Sequence, residues 1–173
     1  MILKMIACSV VLFSATAAGF VIAGRFSGRV RDLRLIQEGL KMMESEILFT
    51  STQLPEALLN TSAKLEAPLD RVFVHAAQIL EGRMGYTAGE AWNLAFEKYL
   101  EALCFNKEDL EIIRDFGKSL GSTDKANQEK NFRLARLQIS SQQVKAEEDR
   151  GRNERMYKNL GFLLGVTIII LLI

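Results

Sequence analysis

Residues 33–47 read LRLIQEGLKMMESEI. Their apolar side chains recur at steps of three, four, three and four residues, at Leu33, Ile36, Leu40, Met43 and Ile47. This spacing places all five side chains on one face of an α-helix, and such a face is normally buried against other elements. The pattern predicts a helix of about 20 residues that continues from the apolar segment preceding it.

The same helical period governs the rest of the central chain, where the alternation typical of strands is absent. Five further helices are therefore predicted, and the second has Pro55 in its first turn. The clearest start signal is Thr87 with Glu90, the sequence pattern of a capping box. The predicted fold is all-α, a compact bundle of about six helices. The helix starts are marked by Thr52, Pro68, Thr87, Asn106 and Asp124.

Residues 115–132, DFGKSLGSTDKANQEKNF, contain short matches to two nucleotide-binding motifs. A P-loop needs a glycine five positions before its Gly-Lys pair, and Ile112 occupies that position. A kinase-type Asp-Phe-Gly needs an HRD loop upstream, and the only histidine of the chain is His75. Neither pattern is complete, so we expect no nucleotide site here.

The same stretch instead predicts a tight corner between the fifth and sixth helices. Gly121 is expected to end the fifth helix in a left-handed conformation, and Asp124 or Thr123 to cap the sixth. Gly117 is expected to let these two helices approach closely, and Gln128 to hydrogen-bond back across the corner. This helix-hairpin signature comprises Gly117, Leu120, Gly121, Asp124 and Gln128.

Both ends of the chain are apolar: residues 5–24 read MIACSVVLFSATAAGFVIAG, and residues 160–173 read LGFLLGVTIIILLI. About 20 helical residues span a bilayer core of roughly 30 Å. The sequence predicts an N-terminal transmembrane helix (1–24), a cytoplasmic helical bundle with a polar connector (25–158) and a C-terminal transmembrane helix (159–173). The alternative for the first segment is a cleaved signal peptide, because residues 15–17, Ala-Thr-Ala, resemble a cleavage site.

Basic residues are concentrated beside the two apolar segments, and we call them the basic collars. By the positive-inside rule, the collars and everything between them lie in the cytoplasm, with both termini outside. The collars are confined to the membrane edges, so a nucleic-acid partner is not expected. Two cysteines placed as Cys8 and Cys104 are poorly situated to pair, which suits a reducing compartment. The collars comprise Arg25, Arg29, Arg31, Arg34, Arg150, Arg152, Arg155 and Lys158.

Small residues recur every four positions in both apolar segments. In lipid, such ladders allow helix backbones to approach closely and make contacts that bulkier faces prevent. We therefore predict that the two segments, or those of neighbouring copies, associate through them; the alternative is that small residues are simply common in membrane helices. The predicted membrane-helix packing residues are Ala15, Gly19, Ala23, Gly161 and Gly165.

Catalytic and metal-binding patterns are absent from the sequence. One histidine, and no Cys-x-x-Cys, Gly-x-Ser-x-Gly or His-Glu-x-x-His, leave no set of residues for nucleophilic or metal chemistry. His75 is interpreted as a packed or rim histidine, and Trp92 and Tyr99 as core residues. We expect neither enzymatic activity nor a cofactor nor a metal ion.

The combined order of Gly117-x-x-Leu120-Gly121-x-x-Asp124-x-x-x-Gln128, residues 44–47 (ESEI) and residues 54–58 (LPEAL) resembles the stage III sporulation protein AB family of endospore-forming bacteria. The resemblance extends over essentially the whole chain. It implies a fold similar to the cytoplasmic domain of type II secretion F proteins, the inner-membrane platform of secretion machines. It further implies a role beside a cytosolic secretion-type ATPase, in the channel joining mother cell and forespore.

Two acidic residues are candidate partner contacts under this resemblance. Glu44 and Glu46 are two positions apart, so they face different directions and form no carboxylate dyad. They are interpreted either as a solvated helix face or as a contact with a basic surface of the ATPase or of a neighbouring copy.

Two functions are consistent with the sequence. The first is a non-enzymatic platform in the mother cell membrane facing the forespore, which couples the ATPase to channel assembly with other membrane proteins of the channel. The second is a membrane-anchored regulatory or signalling module whose bundle binds a soluble partner. Self-association into a homo-oligomer is left open by both.

Overall fold

The computed structural model describes residues 2–82, 85–121 and 124–172, with side chains described except at 2–8, 11–12, 162, 165, 169 and 171–172. Within these residues the chain is helical and contains no strand, which confirms the predicted all-α class. The elements are α1 (Ile2–Leu48), α2 (Leu54–Ser62), α3 (Leu69–Glu81), α4 (Ala88–Lys98), a 3-10 helix (Leu100–Ala102), α5 (Lys107–Ser119) and α6 (Lys125–Leu172).

The chain forms two compact units. One, which we call the terminal helix pair, contains Met1–Val30 and Lys145–Ile173; the other, the bundle, contains Arg31–Val144. The two long helices α1 and α6 contribute to both units, and α1 continues without a break from the apolar N-terminal segment, as predicted. Within the described residues, none of the helices combines the length and apolar character needed to cross a membrane.

The bundle core contains the apolar face that residues 33–47 predicted. Leu33, Ile36, Leu40 and Met43 are buried, whereas Ile47 is half-buried and its neighbour Leu48 is buried more completely. The buried residue at the C-terminal end of α1 is therefore Leu48 and not the predicted Ile47.

Trp92 of α4 is the centre of an aromatic cluster within this core. Its ring lies 5.4 Å from Phe73, 4.9 Å from Phe96 and 5.6 Å from Phe116, measured between centroids. Its indole Nε1–H donates to the Ile113 carbonyl at 3.0 Å, so the polar atom is satisfied although the side chain is buried. These contacts join α3, α4 and α5 through one side chain.

Most helix starts agree with the sequence signals. Thr87 and Glu90 form the predicted capping box, and Asn106 forms a second one with Asp109 at the start of α5. The start of α2 differs from the prediction, because its N-cap is Gln53. The Thr52 hydroxyl donates instead to the carboxylate of Glu46 at 3.1 Å. Glu46 lies in the preceding helix, α1, so Thr52 does not cap α2.

Candidate functional site

The corner between α5 and α6 contains the residues of the helix-hairpin signature. α5 ends at Ser119, the Leu120 N–H donates to the Gly117 carbonyl at 3.0 Å, and Leu120 is buried. Gly121 then has φ +73°, the left-handed conformation that was predicted to end the helix. A side chain at this position would also come within 3.1 Å of the Ala88 Cβ atom.

Asp124 caps α6 as predicted. Its Oδ1 accepts a hydrogen bond from the Asn127 N–H at 2.9 Å, and its carbonyl accepts from the Gln128 N–H at 2.9 Å. The alternative cap, Thr123, lies outside the described residues. The predicted bond from Gln128 across the corner is not found among the described residues, where Gln128 bonds within the first turn of its own helix.

The prediction for Gly117 is wrong about its neighbour. A Cβ atom there would collide with the Trp92 ring and lie 3.3 Å from Asn93 Oδ1, so Gly117 faces α4 rather than α6. Gly89 of α4 completes this contact, because a Cβ atom on it would lie 2.8 Å from the Gly117 carbonyl oxygen. The two glycines allow α4 and α5 to cross backbone against backbone.

Glu44, the first candidate partner contact, points to α6. Its Oε2 accepts from an Arg136 guanidinium NH group at 2.6 Å, and the Glu44 side chain is mostly buried while Arg136 is half-exposed. A charge-assisted hydrogen bond of this geometry fixes α1 against α6 within the bundle.

Glu46, the second candidate, points to α2. Its Oε2 accepts from the Thr52 hydroxyl at 3.1 Å and from the Asn60 amide at 3.2 Å. The two carboxylates therefore face different helices, as their spacing predicted, and each has partners within the chain. The Glu46 bonds also bracket Ser51, which has a positive φ of 57° in the connection from α1 to α2.

Asp32 is a buried charged residue that the sequence analysis did not single out. Its side chain has no solvent exposure, Oδ2 accepts the Cys104 N–H at 2.8 Å, and Oδ1 accepts from the Arg31 guanidinium at 3.0 and 3.1 Å. Arg31, assigned to a basic collar, is thus bound to a carboxylate of the bundle. The available signal was an aspartate beside the apolar stripe of residues 33–47, where an unpaired charge would be costly.

His75 and Tyr99 form the rim of the bundle. Both are half-buried, and their rings meet edge to face at 6.1 Å. The interpretation of His75 as a packed or rim residue is consistent with this position. The prediction that Tyr99 is a core residue is wrong, because it follows the last residue of α4, Lys98, and its side chain is only half-buried. No group of three or more metal-ligating side chains is found among the described residues.

The terminal helix pair brings together three of the predicted packing residues. A Cβ atom on Gly161 would lie 2.9 Å from both the Ala15 carbonyl oxygen and the Gly19 Cα, and one on Gly19 would lie 2.8 Å from the Tyr157 carbonyl oxygen. The α1 and α6 backbones are therefore in direct contact at this point. Ala23 is fully buried, and Gly165 lies outside the residues whose surroundings are described.

Polar groups also join the two helices, between residues 27–29 of α1 and residues 149–158 of α6. The Glu154 carboxylate accepts from the Lys158 ammonium at 2.7 Å and from the Ser27 hydroxyl at 2.9 Å, and these bonds, the Lys158 bond first, lower the pKa of Glu154. Arg29 pairs with Asp149 at 3.4 Å. These residues of the predicted basic collars therefore have acidic partners on the facing helix or one turn away.

Large apolar side chains of the terminal helix pair point outward. Phe13 is 77% exposed and Val21 68% exposed, whereas Ala15, Gly19 and Gly161 lie at the backbone contact between the helices. Nearer the bundle residues in the sequence, the Phe26 and Tyr157 rings stack between the helices at 5.7 Å. In the bundle, by contrast, large aromatic residues such as Phe73, Trp92 and Phe132 are inside. The outward-facing apolar residues of the pair include Val10, Phe13, Phe20, Val21, Leu163, Leu164 and Ile170.

The fold and these surfaces define an all-helical protein with two parts, a bundle closed by an aromatic core and a pair of terminal helices in backbone contact. Residues 4–173 match the model of a protein family described as stage III sporulation protein AB. The chain belongs to the stage III sporulation protein AB family, as its sequence resemblance indicated.

Two known proteins support this assignment. Stage III sporulation protein AB of Bacillus subtilis (strain 168) is 29% identical over 170 residues, which cover 98% of this chain and 99% of the relative. A solved structure of stage III sporulation protein AB (SpoIIIAB) superposes with a TM-score of 0.68 at 26% identity. That match covers 72% of this chain and 98% of the solved chain.

Proposed function

We propose that this protein acts in sporulation as a non-enzymatic platform component of a secretion-like channel between mother cell and forespore. In this role it couples a cytosolic ATPase of the secretion class to assembly of the channel with other membrane proteins. The observation that carries the proposal is the family match over nearly the whole chain. The resemblance of the family to the cytoplasmic domain of type II secretion F proteins supports the platform role.

The proposal includes anchoring in the mother cell membrane by both ends of the chain, with the bundle in the cytoplasm. Its support is the side-chain distribution of the terminal helix pair, where large apolar residues face outward and small residues face the partner helix. Lipid favours this distribution, because apolar side chains are at no disadvantage outside and close backbone approach supplies the packing. Exposed Arg25, Arg152 and Arg155 at the inner ends fit the positive-inside rule.

Cysteine labelling in whole cells tests the orientation. In a variant without native cysteines, a cysteine at the exposed position Lys125 is expected to resist an impermeant reagent until the cells are opened. A cysteine added at the N-terminus is expected to react in intact cells. Labelling at position 125 in intact cells would reverse the orientation.

Purification of the tagged full-length protein from sporulating cells tests the ATPase coupling. The platform role predicts that a hexameric secretion-type ATPase is recovered with it, and its absence from membrane extracts that retain the other channel proteins would contradict that role. If Glu46 contributes to the contact, Glu46→Lys should reduce recovery several-fold. Glu46→Gln keeps a hydrogen-bond acceptor for Thr52 and Asn60, so it shows the effect of removing the negative charge alone. The matched control is Glu38→Lys, which makes the same change at an exposed position of the same helix.

A further inference from the structure

The face of α6 that points away from the bundle core is apolar. Leu134 is 52% exposed, Leu137 60% and Val144 56%, and they lie three and seven residues apart, with Ser141 completing the stripe. This spacing places them on one side of the helix, opposite the buried Phe132, Ala135 and Ile139. A folded chain with no further contact would leave this stripe in water.

The charges beside the stripe are mainly positive. Lys125, Lys130 and Arg133 are exposed between residues 125 and 133, where Glu129 is the acidic exception. Lys130, Arg133, Leu134 and Leu137 line one open groove together with Ala126 and Glu129. Among the described residues, neither Lys130 nor Arg133 has an ion-pair partner. We call this surface, residues 130–144 on the outer side of α6, the basic stripe.

A second exposed apolar surface has the opposite charge. Leu94 of α4 and Leu100 of the 3-10 helix are both more than one-third exposed. Glu97 and Glu101 are exposed beside them, with Lys98 as the basic exception, and neither glutamate has an ion-pair partner among the described residues. We call this surface, residues 94–101, the acidic patch.

We propose that the basic stripe of one molecule binds the acidic patch of a second copy of this chain. Each surface offers two exposed leucines. The charges beside them are mainly of one sign, positive on the stripe and negative on the patch. Contact between the two surfaces therefore buries leucines and brings opposite net charges together. Pairing of two basic stripes would instead bring like charges together. The stripe and the patch lie on different helices of one bundle, so each copy retains a free surface of each kind. Such a head-to-tail contact is heterologous, and repetition of it builds rings or filaments rather than a closed dimer.

This self-association does not depend on the sporulation channel role, and the tests are separable. The full-length protein in detergent, with both native cysteines replaced, is the starting material. Leu137→Cys combined with Leu94→Cys in one chain should give a ladder of oligomers on mild oxidation. Either variant alone should give no cross-link, and a mixture of the two should give a dimer. Dimers of Leu137→Cys alone would show a symmetric contact and overturn the proposal.

Charge exchange tests the specificity of the contact. Lys130→Glu with Arg133→Glu should weaken self-association about tenfold or more, because opposite charges become like charges. Glu97→Lys with Glu101→Lys should do the same, and all four changes in one chain should restore association. Lys64→Glu with Arg71→Glu, at exposed positions elsewhere on the bundle, is the matched control. Weakening by the control pair to the same extent, or failure of the four-change variant to recover, would overturn the proposal.

Discussion

The bundle and the terminal helix pair differ in which residues lie between their helices. In the bundle, Trp92, Phe73 and Phe132 are buried, and these large side chains fill the space between most of the helices; α4 and α5, which meet at two glycines, are the exception. In the terminal helix pair, Phe13 and Val21 point outward, and Gly19 and Gly161 bring the two backbones together. Both parts belong partly to the same two helices, so helix length and continuity do not account for the difference.

The difference teaches where the stabilising free energy of each part arises. Removal of apolar side chains from water stabilises the bundle, since its large residues are inside. The terminal helix pair is held by backbone packing at Gly19 and Gly161, by the stacked rings of Phe26 and Tyr157, and by polar bonds such as that of Glu154 with Ser27. We therefore expect substitutions to act differently in the two parts.

The largest effect is expected from a cavity in the bundle. Phe73→Ala removes a fully buried ring in edge contact with Trp92, and we expect a loss of about 3–5 kcal/mol in the free energy of unfolding. Urea unfolding of the full chain in detergent, followed by the fluorescence of the single tryptophan, measures it. Phe49→Ala, at an 82% exposed position, should change stability by less than about 0.5 kcal/mol. Equal effects of the two changes would contradict an aromatic core.

In the terminal helix pair the expected damage comes from added volume. Gly161→Leu places a side chain where Ala15 and Gly19 leave no room, and we expect about 1–3 kcal/mol of lost packing between the helices. Gly24→Leu is the matched control, because nothing lies within 4 Å of a Cβ atom there.

Double electron–electron resonance measures the distance between spin labels attached at the exposed positions Val21 and Leu160, and so reports on the packing of the two helices. The distance distribution should broaden and move to longer values in Gly161→Leu but not in Gly24→Leu. Urea unfolding of the bundle should be the same in both. An unchanged distribution in Gly161→Leu would show that the pair does not depend on its glycine contact.

Adding a single methyl group at the α4–α5 crossing, by Gly117→Ala, should also lower the stability of the bundle. Glycine to alanine inside a helix ordinarily stabilises by about 0.5–1 kcal/mol. At Gly117 we expect the opposite sign, a loss of about 1–3 kcal/mol, because the methyl group meets the Trp92 ring. Gly151→Ala, with open space around the new atom, should keep the ordinary sign. Thermal unfolding of both variants compares them, and a stabilising Gly117→Ala would place the crossing elsewhere.

The smallest effect concerns a helix cap. Hydrogen bonds from the Thr87 backbone N–H, and then from its hydroxyl, lower the pKa of Glu90 below 4.5. Because the folded-state pKa is the lower one, the stabilisation is complete above pH 4.5 and is lost as the pH falls through the folded-state pKa. An NMR titration of the Glu90 carboxyl carbon measures it. Glu90→Gln should remove this contribution to the pH dependence, and a midpoint at or above 4.5 would refute the capping-box assignment.

Much of the fold could be predicted because its signals are local. The stripe of residues 33–47, the capping box at Thr87 and the left-handed glycine at position 121 each depend on residues within a few positions of one another. The start of α2 could not be placed correctly, since the Thr52 hydroxyl bonds to Glu46 of the preceding helix. Such competition between a cap and a distant acceptor is invisible in a local pattern.

Surfaces and crossings were predicted less completely. The sequence identified Gly117 as a site of close approach but assigned it to α6. Both α4 and α6 are neighbours of α5 in the chain, and a local pattern does not tell which of them a given face of α5 meets. The structure places it against α4. Asp32 was missed because its partner Cys104 is 72 positions away, and only folding brings the amide to the carboxylate.

The sequence by itself determined the helical class, the positions of most helix ends and the segregation of apolar and basic residues at the chain ends. These follow from hydrogen bonds and periodicities that span a few residues. The tertiary structure alone decided which helix each face meets: Glu44 bonds to Arg136, Gly161 meets Gly19, and Leu134 and Leu137 remain uncovered. The physical reason is that contacts between distant segments depend on how all the helices fill space together, and no local pattern contains that information.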